Sequence, residues 1–316
     1  AGSQAYLPTS GKAKFKKQNI KNMKVVIFGG NDREEQMARK VCNTNGVLTA
    51  TALASDGKPV HAGNAYQAAG FSIDQGQSLG NDGDNLSKYE YIIFECSPCC
   101  VNHPILAQCD HHNKGDYGYG MGPLMFWEAS SLGQLCTILG VTPTEEMLMI
   151  AAGDHCPAAA YKGLCPGIDP AKFKKHRIEG LSTTVECPGV DPVCGNPAWG
   201  LYNNSAEIEK HIDFATILLQ LAPMSIFEGV KDLRAYGKVD QLPEAALIAG
   251  FSYLSQIPET DRAGNPTGNI KVNLGGDNSP ETVTKVIEWL NGLPNGISDA
   301  YGVPVRGFAG RVFKSA

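Results

Sequence analysis

Asp110, His111 and His112 stand side by side where the apolar run 105–109 gives way to a glycine-rich stretch, 115–123. Only seven histidines serve the 316 residues, so two in succession beside an acid concentrate groups that bind divalent cations or carry protons. A hydrogen-bonded surface turn is the plainer alternative. Two further acids occupy comparable places: Glu95 closes the run 89–94, and Asp154, followed by His155, closes an expected helix. With His111 they would offer the mixed oxygen and nitrogen ligands that manganese, magnesium or zinc accepts. Read without chemistry, Glu95 caps a following helix and Asp154 makes an Asx turn.

Several other stretches could serve recognition. His61 lies in 58–70 beside Gly63 and Asn64, and Tyr161 and Lys162 follow His155 among small residues. Both read equally as pocket-lining loops and as packed loop residues. The stretch 115–123 reads as a glycine-hinged lid or as a turn-rich surface loop. "FGGND", ending in Asn31 and Asp32, could seat a phosphate on a helix amino terminus. It lacks dinucleotide and Walker spacing, and no G-x-S-x-G elbow is present. "CSPCC" (Cys96, Cys99, Cys100) supplies one C-x-x-C. The second that a zinc ribbon needs is missing, which ranks a Cys-ligated centre below the acid and histidine set.

The elements that must carry these groups read as α/β. The run 23–30 is an apolar strand ending in two glycines, and Asp32 and Glu35 have capping-box spacing ahead of a helix. The runs 47–53 and 89–98 read as further strands, the last with the unbroken apolar centre of a parallel sheet buried on both faces. Thr142 and Pro143 predict an N-cap and first helical position for a helix reaching Asp154. Asn204 and Glu207 predict the start of a long connector helix with Ile208, Ile212, Ala215, Leu218, Leu219 and Ala222 on one face. Beyond about 242, two strand-like runs and a helix capped by Ser279-Pro280 predict a smaller α+β unit. The expectation is a parallel-sheet amino-terminal domain (23–203), a connector region (204–241) and a carboxyl-terminal domain (242–316).

Composition narrows the partners. A net charge of -5 with pI near 5.8 argues against long nucleic acid and leaves room for a local pocket for a small anionic or phosphorylated molecule. No run approaches the roughly 20 apolar residues of a membrane span, and no secretory signal opens the chain. Ten cysteines in a chain this long suit a reducing cytoplasm better than a disulfide scaffold. The basic segment 1–22 reads as a leader, an expression remnant or a lattice-contacting arm. Assembly into a homo-oligomer is compatible with all of this.

The order of strand, turn and helix, strand ending in Glu95, Asp-His-His, acid after a helix, connector and glycine-rich carboxyl-terminal unit resembles the DHH phosphoesterase superfamily. "DHH" is the specific motif, and the order of elements covers roughly 23–316. The resemblance implies a metal-dependent hydrolase of small phosphorylated or phosphodiester substrates held between two domains. It places Glu95, His111 and Asp154 as metal ligands, with Asp32 as a further one, and Asp110 and His112 as flanking catalytic groups. Paired metals about 3.5–4 Å apart would hold a bridging hydroxide for in-line attack. Arg306 in "RGFAG" resembles the substrate-gripping end of the associated domain, with Lys162, His61, His155 and Asn31 as further substrate ligands. The sequence departs from the family at its first motif, two aspartates one residue apart, where it offers Asn31 and Asp32, and at the second, where Glu95 replaces aspartate. A catalytically silent DHH-like ligand-binding or assembly protein is the alternative.

Overall fold

The computed structural model describes residues 23–61, 64–74, 89–97, 105–183, 205–260 and 265–315. The basic segment 1–22, Asn204, Cys99 and Cys100 lie outside them. Within the described residues the fold is mixed α/β, with two five-stranded sheets.

The first sheet is built from β1 (Met23–Phe28), β2 (Leu48–Leu53), β3 (Gly70–Ile73), β4 (Tyr89–Phe94) and β5 (Ile105–Cys109) in the order β3-β2-β1-β4-β5. β1, β2, β4 and β5 run parallel. β3 departs from the parallel expectation, returning antiparallel along β2 as an edge strand. Its four residues alternate too little to announce a strand, and its pairing is decided by β2. The centre of the sheet is dry on both faces, as its apolar runs predict. Val26, Phe28, Ile92 and Phe94 pack on one face against α1 (Arg33–Thr44). Val25, Ile27, Tyr91 and Ile93 pack on the other against Ala50, Ala52, Val60 and Ala65.

Register then positions the site. Phe28 pairs with Phe94, and Phe94 with Cys109, so Gly29, Glu95 and Asp110 all leave the sheet at one carboxyl edge, where ligands of α/β sheets bind. α2 (Phe126–Ala129), α3 (Ser131–Leu139) and α4 (Glu145–His155) follow. Thr144, not Thr142, caps α4, its side chain accepting from the Met147 amide. Pro143 therefore precedes the cap instead of opening the helix. Asp154 and His155 lie in the last turn of α4, so Asp154 is helical and makes no Asx turn.

α5 (Pro157–Tyr161) and α6 (Pro170–Thr183) lead to α7 (Ser205–Leu221), the long helix whose Ile208, Ile212, Ala215 and Leu219 are buried as their spacing predicts. The second sheet comprises β6 (Val230–Asp232), β7 (Ser252–Thr260), β8 (Pro266–Gly276), β9 (Tyr301–Val303) and β10 (Phe308–Lys314), in the order β6-β7-β8-β10-β9. β6, within the expected connector region, is its edge strand. α8 (Leu242–Ala249) and α9 (Pro280–Gly292, capped by Ser279) pack with it. α6 joins the halves: Phe173 packs with Phe126 and Ala151, while Ile178 packs with Ile208, Leu242 and Tyr253. Among the described residues no helix is long and apolar enough to cross a membrane.

Candidate metal centre

The Asp-His-His turn is held by its own acid. Asp110 is 1% exposed, and its Oδ1 accepts from the His111 and His112 amides at 2.7 and 3.0 Å. The same oxygen meets His112 Nδ1 at 2.9 Å, and the Tyr66 hydroxyl donates to Oδ2 at 2.9 Å. Gln134 of α3 clamps the turn's backbone, accepting from the Asp110 amide and donating to its carbonyl. Burial opposes the Asp110 carboxylate, but the His112 and Tyr66 hydrogen bonds lower its pKa overall. Asp110 is thus an ionised anchor, and a Nδ1–H on His112 leaves that ring's Nε2 to face outward.

His111, at 2% exposure, is aimed by α3. Its Nδ1 lies 3.1 Å from Ser131 Oγ, a partner that suits the Nδ1–H tautomer and leaves a lone pair on Nε2. That Nε2 is 3.0 Å from Asp154 Oδ2, yet neither atom has an aligned hydrogen-bond partner. Glu95 Oε1, 3.8 Å from His111 Nδ1 and 3.7 Å from His112 Nδ1, is likewise buried without one, as is Glu34 Oε2. Glu34, Glu95, His111 and Asp154 present ligand atoms all within 4.8 Å of one another, and Glu95, His111 and His112 form an overlapping group. Buried polar atoms are nearly always satisfied. Several orphans converging on one point are what an oxygen- and nitrogen-ligated divalent cation would satisfy, so this buried Glu/His/Asp cluster could hold a metal ion.

Two backbone features set Glu95. It adopts φ 52°, a left-handed conformation that costs a non-glycine residue about 1–3 kcal/mol and recurs at functional sites. The neighbouring β1 end must be glycine, because a Cβ on Gly29 would stand 2.2 Å from the Glu95 carbonyl oxygen.

The acids load the site electrostatically. Burial, then the charges of Glu34, Asp154 and Asp32, raises Glu95 well above the usual carboxylate range. Burial and Asp154 do the same to Glu34, and burial and Asp32 push Glu35 up to about 8. Asp154 goes the other way: burial is outweighed by His111, Arg306 and His112, which lower it. Asp32 is exposed as a residue, but its carboxyl is desolvated in the acidic corner and, with Asp154's charge, is pushed up to about 6.

The other expected site residues separate. Asp32 is the N-cap of α1 and forms the predicted capping box with Glu35; it stands outside the convergent group, which holds Glu34 in its place. Asn31 only offers its carbonyl to Gln36 at 2.9 Å. His155 packs edge-on to His111 with centroids 5.1 Å apart, and its Nε2 meets the Met121 carbonyl at 3.0 Å, tying α4 to the stretch 115–123. His61 is a half-buried loop residue whose amide donates to Asn64 Oδ1. Lys162 is exposed and paired with Asp277 of the second half. Arg306, beyond β9, acts on Asp154 through its charge. Cys96 is buried with its Sγ toward the Ile27 carbonyl, and among the described residues no cysteine joins a metal-capable group. Sequence reading missed Glu34 and Tyr66. The signal for Glu34 was its place two residues after Asp32; nothing local marks Tyr66.

No family model, curated protein or solved structure matches the chain, which leaves the site's own geometry as the basis for its chemistry.

Proposed function

We propose that the chain is a metal-dependent hydrolase of small phosphorylated or phosphodiester substrates and a divergent member of the DHH phosphoesterase superfamily. The observation that carries this reading is the convergence of four buried, unpartnered side-chain atoms from Glu34, Glu95, His111 and Asp154. A two-domain arrangement goes with it, 23–203 and 242–316 about a connector, with substrate between them. Glu34 sharpens the resemblance, since Asp32-Arg33-Glu34 has the acid-x-acid spacing of the family's first motif.

A divalent cation, manganese first with magnesium or zinc as alternatives, would supply Lewis-acid charge to a phosphoryl oxygen. The protein's residues do the rest. Glu34, Glu95, His111 and Asp154 would hold the cation. Asp110, locked by two amides and Tyr66, orients His112 so that, with both ring nitrogens protonated, its Nε2–H donates to charge developing on the phosphoryl group. Arg306, whose field already reaches Asp154, grips an anionic oxygen, and Lys162 joins it only by exchanging its Asp277 partner for the substrate.

The test pairs metal analysis with a screen. Manganese-loaded protein is offered a phosphomonoester, a phosphodiester and pyrophosphate, beside His111→Ala. Bound manganese and turnover of one class, both lost in the variant, are expected. Unchanged metal content and turnover in His111→Ala would overturn the assignment, and metal uptake with no turnover of any class favours the silent, ligand-binding alternative.

A further inference from the structure

Beside the ligand cluster lies a cavity of about 180 Å³ with Asp32, Glu34 and Asp154 in its lining, together with Arg33, His176 and Arg177. The two arginines are differently engaged. Arg177 is committed to Glu244, with Nε and Nη2 at 3.1 and 2.7 Å from its carboxylate oxygens. Arg33 pairs with no carboxylate among the described residues, and its one side-chain hydrogen bond joins Nη2 to His176 Nε2 at 3.2 Å. A guanidinium can only donate, so His176 accepts and is a neutral imidazole with its proton on Nδ1. Among the described residues the other N–H groups of the Arg33 fork have no protein acceptor.

Helix α6 is shaped to hold Arg33 in this place. Gly180 lies under the guanidinium, and a Cβ there would come within 1.9 Å of Nη1 and 2.1 Å of Cζ. Gly180 stands in the last turn of the 14-residue α6, and its bare backbone makes room for the side chain that lies on it.

We propose that Arg33, supported by His176 and cradled by Gly180, is an anion subsite for a second phosphoryl group of the substrate. Its place in the reaction rests on the hydrolase reading: the scissile group meets the Glu34, Asp154 and His111 set, and the second group meets Arg33 in the same cavity. The substrate class is then a small molecule with two phosphoryl groups. A phosphoryl group fits better than a carboxylate because the free donors of the fork outnumber those a bidentate carboxylate engages, and a phosphoryl group brings three terminal acceptor oxygens. The acids in the lining repel a free anion until a cation neutralises them, so phosphate and manganese should bind with positive coupling.

Inorganic phosphate, and acetate as the carboxylate probe, are titrated calorimetrically into wild-type, Arg33→Gln and Gly180→Ala protein, each with and without manganese. Wild type is expected to bind phosphate, more tightly with manganese, and to prefer it to acetate. Arg33→Gln should weaken phosphate binding by about 10- to 100-fold, the value of a charge-assisted contact, while taking up the same manganese. Gly180→Ala should weaken it in the same direction with Arg33 still present. Wild-type phosphate affinity in either folded variant overturns the subsite, as does the absence of phosphate binding to wild type under both conditions. Equal affinity for acetate overturns its phosphoryl character. Phosphate binding that depends on Arg33 in a protein that takes up neither manganese, magnesium nor zinc would leave the subsite standing and remove the hydrolase reading.

Discussion

Glu34 accepts the Leu132 amide on one carboxylate oxygen at 3.0 Å and has no partner for the other. It is buried at 1% exposure beside other acids, and its carboxylate form is disfavoured by desolvation and by the charges of Asp154 and Asp32, which raise its pKa well above the ordinary range. A cation reverses that balance. Glu34→Gln keeps the Leu132 hydrogen bond while removing a proposed ligand and a carboxylate whose ionisation is opposed in the metal-free site. Metal-free variant should therefore melt a few degrees above wild type, roughly 2–4 °C per kcal/mol relieved, and manganese should raise its midpoint much less than it raises the wild-type one. Scanning calorimetry with chelator and with manganese reads both, and equal manganese shifts in the two proteins would remove Glu34 from the ligand set. Glu95, His111 and Asp154 were legible because each punctuates an apolar run or a helix end. Glu34 was not, because the same four residues, Asp32 to Glu35, also spell a capping box. Only the register of β1 against β4 tells which acid turns toward Glu95.

At the scale of elements, β1 and β4 bring the site together by ending side by side. The Gly29 amide donates to the Phe94 carbonyl at 3.0 Å, and the chain then turns through left-handed Glu95 into Cys96. Gly29→Ala would drive a Cβ into the Glu95 backbone, which cannot step aside as a flexible side chain could. Overpacking of this kind costs about 1–3 kcal/mol, and here the displaced residue is a proposed ligand. Chemical denaturation should show the lost stability, and elemental analysis reduced manganese. A variant as stable and as metal-rich as wild type would mean that the close approach does not position Glu95. Most elements of the first sheet could be read from their apolar runs, since β1 and β4 are buried on both faces. The antiparallel β3 and the Thr144 cap could not. β3 is decided by a partner strand, and of two threonines flanking a proline, the one that caps is chosen by where α4 packs.

On the scale of the whole molecule, the two sheets are linked by a polar knot as well as by the core around α6. Glu244 of α8, 4% exposed, receives Arg177 of α6 through two donors and the Tyr161 hydroxyl of α5. Burial alone would raise its pKa, but the Arg177 and Tyr161 contacts lower it below the ordinary 4.5. The unfolded chain therefore binds more protons than the folded one as pH falls from that value, and stability falls with it. The contribution is fully present above about pH 4.5 and is lost as pH drops through the depressed folded value. Glu244→Gln leaves the half-buried Arg177 without its counter-charge, a break worth less than the roughly 3–5 kcal/mol of a fully buried pair at neutral pH. The gap between the wild-type and variant stability curves should be widest near pH 7 and should narrow below pH 4.5, because only wild type loses the ion pair there. The acids of the metal site titrate in both proteins and drop out of the difference. Curves measured by denaturant titration that stay parallel from pH 7 to pH 3 would show that Glu244 does not hold the α5–α6 layer to α8 by its charge.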